Sequence, residues 1–143
     1  TGTNINAALQ YLTNAQKRRC TAFLISDFIG WNTEYRVQNT DRISSHVSPI
    51  TIAARKHDLN AIQIYDRRDA ELPDVGLLKV RDPESGARIW ADTSLSSVRN
   101  AYAKAWLNQQ QALDTLYTKT GIHNISIRTD EDYVKKLMQL FHN

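Results

Sequence analysis

Cys20-Thr-Ala-Phe-Leu-Ile-Ser26, followed at once by Asp27, is the stretch that decides the fold. Seven residues without a charge, too short for a buried helix and apolar at successive positions, read as a strand meant to be covered on both faces. Leu59-Asn-Ala-Ile-Gln-Ile-Tyr65 repeats the pattern and is again closed by an aspartate, Asp66. Ile122 to Ile127 supplies a third run of the same kind. Strands of this type belong to parallel sheets, and parallel sheets need helical crossovers between their strands.

The intervening segments meet that need. Asn4 or Thr3 can cap a first helix whose Ile5, Ala8, Leu9 and Leu12 recur at helical spacing. A second helix is expected near residues 42–56, started or interrupted at Pro49, with Ile50, Ala53 and Ala54 inward. A long amphipathic stretch from Ser96 to Thr118 carries Val98, Tyr102, Ala105, Leu113 and Leu116 on one stripe, and Gly121 ends it. Asp130 is expected to cap a closing helix that buries Val134, Leu137, Leu140 and Phe141. Between residues 77 and 92 the pattern changes to alternation around Asp82-Pro-Glu-Ser-Gly86, which predicts a β-hairpin at or beyond the sheet edge. The fold class is therefore α/β, a parallel sheet with flanking helices and an inserted hairpin.

Composition excludes several function classes. A chain of 143 residues with 41% hydrophobic and 23% charged residues is ordinary for one globular domain. The net charge of +3 is spread out, with Lys17-Arg18-Arg19 as its one basic run, so no dense basic-aromatic patch points to nucleic acid. That run reads as the end of a helix, where cations meet the negative pole of its dipole. The single cysteine, Cys20, can build neither an internal disulfide nor a thiolate metal site, and it reads as a packed thiol in a reducing compartment. No apolar run approaches the roughly 20 residues of a membrane span. The chain opens on a helix-start signal without a methionine, and the expectation is an N-terminally truncated domain spanning 1–143.

Few residues carry chemistry. Gly-x-Gly-x-x-Gly, Walker-type and Gly-x-Ser-x-Gly loops are missing, and His46, His123 and His142 show no ligand spacing. His57-Asp58 invites an acid-base reading without a nucleophile to serve. Asp27 and Asp66 stand at the C-terminal ends of strands, the edge at which open α/β sheets bind ligands. Thr3 opens the helix before the first strand, and a hydroxyl with a carboxylate suits Mg²⁺, although capping alone would explain both residues. Asp92-Thr-Ser-Leu-Ser96 fits a metal-loop pattern, Asp-x-Ser-x-Ser, letter for letter. The run before it alternates and contains Arg88, so capping of the long helix by Asp92, Ser94 and Ser96 is the expected role.

Gly2-Thr3-Asn4 through Leu9, together with Phe23-Leu-Ile-Ser-Asp27, resembles the second half of a von Willebrand factor A metal-ion-dependent adhesion site. Lys17-Arg18-Arg19, Arg55 to Leu59, Asp66 to Gly76 and Asp82 to Gly86, in that order, resemble more closely the bacterial von Willebrand factor A-like domains of domain-of-unknown-function family 58. The resemblance implies a partial Rossmann-like sheet and a metal site to which this chain contributes Thr3 and Asp27 only. The Asp-x-Ser-x-Ser loop of a full site would lie upstream of Gly2, so Mg²⁺ is expected in the intact protein and not in this chain. It further implies a protein-binding or scaffolding role rather than an enzymatic one. A MoxR-type AAA+ ATPase is the implied partner, on the cytoplasmic side, with membrane helices elsewhere in the intact protein. A strand edge left without its neighbour adds an expectation of self-association. The competing reading is an α/β hydrolase-like or phosphate-handling enzyme that pairs Asp27 with Asp66.

Overall fold

A computed structural model describes residues 4–31, 48–81 and 87–141. Helix α1 (Ile5–Ala15) precedes strand β1 (Thr21–Ser26), and α2 (Pro49–Lys56) leads into β2 (Asp58–Tyr65). A single turn, α3 (Arg67–Ala70), is followed by β3 (Leu77–Arg81) and β4 (Arg88–Asp92). The long α4 (Ser96–Thr120), β5 (His123–Arg128) and α5 (Tyr133–Phe141) complete the chain. Strands β1, β2 and β5 form one parallel sheet in that order, while β3 and β4 pair antiparallel as a separate hairpin. The architecture is mixed α/β, and each expected strand lies within one residue of its place. Of the helix expected over 42–56, residues 49–56 are helical and residues 42–47 lie outside the described set.

Local chemistry sets the element ends. Asn4 caps α1 by accepting the Ala7 N–H at 2.9 Å. Pro49 opens α2, a position where its missing N–H costs nothing. Gly121 ends α4 at φ +68°, a left-handed turn that a side chain would resist. The closing helix is capped differently from expectation. Asp132, not Asp130, accepts the N–H groups of Val134 and Lys135. Asp130 instead forms an ion pair with Arg128.

The register divides the sheet's residues between two faces. Ala22 and Leu24 of β1 stand beside Leu59 and Ala61 of β2 on one face. That face meets Ile5 and Leu9 of α1, Ile50 and Ala53 of α2, and Leu113 and Tyr117 of α4 in the larger core. The other face holds Ile62 and Ile127 against Leu140 of α5, with Ile125 and Leu137 at the margin. Among the described residues, none beyond α5 joins the cluster on this second face. Phe23 is 45% exposed and Ile25 58%, against the expectation of cover on both sides. The closing helix also buries less than expected, because Val134 and Phe141 are exposed while Leu140 is buried and Leu137 partly so.

Candidate functional site

The carboxyl ends of β1 and β2 form a rim, and Asp27 stands on it at the end of β1. Two short-range bonds shape the backbone there. The Phe28 N–H donates to Ser26 Oγ at 3.1 Å, and the Ile29 N–H donates to Asp27 Oδ1 at 3.1 Å. Ser26 Oγ also lies 3.5 Å from Asp27 Oδ1. Phe28 takes φ +56°, a conformation costing on the order of 1–3 kcal/mol for a residue with a side chain. Complete burial of its ring offsets that cost, between Trp31 at 5.5 Å and Tyr117 at 6.4 Å, with Gln109 Nε2 donating to its carbonyl. The anchor below the rim is thus rigid, while the Asp27 side chain above it faces solvent.

The first turn of α1 belongs to the same rim. Trp31 Nε1 donates to Asn6 Oδ1 at 3.2 Å, which ties the start of α1 to the turn that follows Asp27. Thr3, the other residue assigned to a metal site from the sequence, lies outside the described residues. Asp27 offers a hard oxygen donor suited to Mg²⁺. Among the described residues no three His, Cys, Asp or Glu side chains are grouped to hold a metal ion.

Asp66, at the end of β2, has other work. Its side chain accepts the Arg68 N–H at 2.9 Å, and Asp69 bonds back to the Asp66 N–H, closing a reciprocal cap on α3. Thr129 Oγ1 donates to Asp66 Oδ2 at 3.1 Å, so the carboxylate also links the ends of β2 and β5. The Arg68 N–H and then the Thr129 hydroxyl hold its pKa below the ordinary carboxylate value. The charged groups that act on it are Arg68 and Asp130, and Asp27 is not among them. Register separates the two carboxylates as well: Ser26 pairs with Gln63, so Asp66 lies two positions beyond the residue opposite Asp27, about 7 Å along the strand.

The Asp92–Ser96 segment folds on itself. Asp92 Oδ1 accepts both the Ser94 hydroxyl at 2.6 Å and the Ser94 N–H at 3.1 Å, a local Asx turn that lowers the Asp92 pKa. Thr93 is fully buried; its hydroxyl donates to the Gly76 carbonyl at 2.7 Å and accepts the Val75 N–H at 3.1 Å. The segment does not cap α4 through its side chains, as the sequence suggested. Leu95 occupies the cap position without a side-chain bond, and Arg99 reaches back to the Thr93 and Ser94 carbonyls. The alternation of the preceding run made capping the natural expectation; the Asx turn instead uses Asp92 and Ser94 within the turn, one step short of the helix.

Sequence reasoning also missed a part-buried pair. Cys20 Sγ lies 3.4 Å from His57 Nδ1, and His57 is 1% exposed. The pair joins the start of β1 to the end of α2, where the His57 N–H bonds to the Ala53 carbonyl. An apolar run opening on cysteine signals packing, but nothing in it names a histidine 37 positions away as the neighbour.

An α/β domain with a parallel sheet and an acidic residue on its C-terminal rim is the class that this geometry defines. The chain belongs to the family described as Protein of unknown function DUF58, which matches residues 1–112. It is 28% identical over 137 residues to uncharacterized protein Rv1480 of Mycobacterium tuberculosis (strain ATCC 25618 / H37Rv), covering 95% of this chain and 39% of that protein. It is 28% identical, with the same coverage, to uncharacterized protein Mb1516 of Mycobacterium bovis (strain ATCC BAA-935 / AF2122/97). Uncharacterized protein MAV169 of Mycobacterium avium is 27% identical over 136 residues, covering 95% of this chain and 73% of that protein. The chain thus spans about two fifths of the length of Rv1480 and Mb1516. No solved structure matches. Among the described residues no helix is long and apolar enough to cross a membrane.

Proposed function

We propose that this chain is part of a von Willebrand factor A-like binding module that engages a protein partner at the C-terminal rim of its sheet. One observation carries the reading: the Asn6–Trp31 bond brings the first turn of α1 to the rim on which Asp27 stands. A helix start beside a strand-end carboxylate is the arrangement from which a hydroxyl and a carboxylate share a hard cation. In the intact protein Asp27 and Thr3 then supply two ligands of a Mg²⁺ site, other ligands come from elsewhere, and an open coordination position accepts a carboxylate of the partner. The family resemblance suggests a MoxR-type AAA+ ATPase for that partner and a cytoplasmic setting, with the module scaffolding rather than catalysing. An Asp27–Asp66 catalytic pair draws less support, since Asp66 is committed to the α3 cap and to Thr129.

Calorimetric titration tests the ligand count. Mg²⁺ wants near-octahedral oxygen coordination and gives up water reluctantly, so two protein oxygens hold it weakly. The 143-residue chain is expected to show no measurable heat with Mg²⁺ or Mn²⁺, whereas an intact relative binds and loses binding on the substitution equivalent to Asp27→Ala. Tight stoichiometric binding by this chain alone would overturn the incomplete-site reading.

A further inference from the structure

We propose that Cys20, with His57 as its base, is a site of reversible S-thiolation by small anionic disulfides. It lies at the other end of β1 from Asp27, roughly 20 Å away along the strand, and does not depend on the rim. The histidine makes the site. His57 closes α2, is 1% exposed, and places Nδ1 3.4 Å from Cys20 Sγ. Its other ring nitrogen, Nε2, is buried without a hydrogen-bond partner. Buried polar groups are ordinarily paired, so an imidazole turned to a thiol on one side and unmet on the other calls for a reason beyond packing. Cys20 shares the side of Ala22 and Leu24, the face that α1 and α2 cover, so its contact with His57 is set by those elements. The thiol is only part-buried, and a reagent reaches the sulfur where it cannot reach the imidazole.

Charge selects the reagent. Lys17, Arg18 and Arg19 lead directly into Cys20, and Arg55 and Lys56 lead into His57, while Asp58 is the one carboxylate next to either residue. Partly exposed thiols in such electropositive surroundings are the reactive ones, and the same field concentrates anions. In the reaction Cys20 Sγ attacks one sulfur of the disulfide as His57 Nδ1 takes the thiol proton. A new S–S bond joins Cys20 to half of the reagent, the old S–S bond breaks, and the departing thiolate keeps its electron pair and recovers the proton from His57. One disulfide is consumed and one is formed, so the step needs no further oxidant or reductant. A second small thiol reverses it by the same exchange.

Cys20 is the one cysteine of the chain, so the rate of thiol exchange reports on it alone. Dithiobis(nitrobenzoate), with a carboxylate on each half, is the anionic probe, and cystamine is the cationic one. At neutral pH the folded chain is expected to react with the anionic probe roughly tenfold faster than the same chain unfolded in urea. An ordinary thiol is only a few per cent ionised there, which leaves a neighbouring base that much room to act. Measured against the unfolded chain, the anionic probe should gain more than the cationic one, and the gap should narrow with salt. His57→Gln, with its fold checked by circular dichroism, should lose the tenfold gain. A folded chain that reacts more slowly than the unfolded one with both probes would make Cys20 a packed thiol and overturn the site. An unchanged rate in a folded His57→Gln would do the same, and equal gains for the two probes would overturn the preference for anions. Should His57→Gln fail to fold, the folded-to-unfolded ratio and the probe preference of the unaltered chain decide.

Discussion

The two faces of the β1-β2-β5 sheet are made from the same three strands and fare very differently. One receives α1, α2 and α4, and Leu59 and Ala61 at its centre are buried. Among the described residues, the other receives α5 alone, whose Leu140 packs against Ile62 and Ile127. Phe141 at the end of α5 touches β1 only edge to face, with its ring 6.0 Å from that of Phe23. Ile64 of β2, beside Ile127 of β5, remains 42% exposed. An apolar strand therefore reports that its residues are fit for cover, and it does not report whether a helix arrives to provide it. The difference also separates where the fold is packed, on the three-helix face, from where apolar side chains stay exposed, at Phe23, Ile25 and Ile64.

Truncation in the closed face should have the largest effect. Leu113→Ala removes a fully buried side chain at the meeting of α4 with the sheet and should cost about 2–5 kcal/mol. Leu140→Ala, the same chemical change in the smaller cluster, should cost less, about 2 kcal/mol, because the site borders solvent and can relax. Ile64→Thr, on the half-open face, should change stability by no more than about 0.5 kcal/mol. Urea unfolding of the three variants ranks them directly. Equal losses at positions 113 and 140 would mean that the second face is as tightly packed as the first, and the contrast would fail.

The sequence made the strands legible because buried parallel strands are apolar runs bounded by charge or turn residues, and all three were placed within one residue. The hairpin was equally plain from the turn residues at 82–86 between alternating runs. Helix faces were harder. Val134 and Phe141 fall at positions that periodicity marks as inward, but periodicity describes only the helix, and both stay exposed while Leu140 is buried. Of the candidate site, Asp27 was visible as the charge that ends β1, and Thr3 lies outside the described residues. The parts that build the rim were not visible. The left-handed Phe28, held by Gln109, and the Asn6–Trp31 bond depend on contacts across tens of residues, and each of these residue types is common in loops and caps for other reasons.

The smallest effect should come from Asp66, which belongs to neither face and sits in solvent at the rim. Its carboxylate is favoured in the folded state first by the Arg68 N–H and next by the Thr129 hydroxyl, so its folded pKa lies below the unfolded value of about 3.9. A depressed carboxylate pKa stabilises the fold at pH values above the unfolded pKa. That stabilisation is lost as pH falls through the folded pKa, because the unfolded chain takes up the proton first. Urea midpoints measured between neutral pH and pH 3 should therefore differ most between the protein and Asp66→Asn at the upper end, with the difference shrinking as pH falls below the unfolded pKa. Thr129→Val should give part of the same difference, since it removes the second of the two hydrogen bonds. Both shifts should fall below that of Leu140→Ala, because an exposed, salt-screened carboxylate contributes little beside a buried leucine. A loss at neutral pH rivalling Leu113→Ala would show that the rim bonds, joining β2 to β5, hold the sheet more than either packed face does.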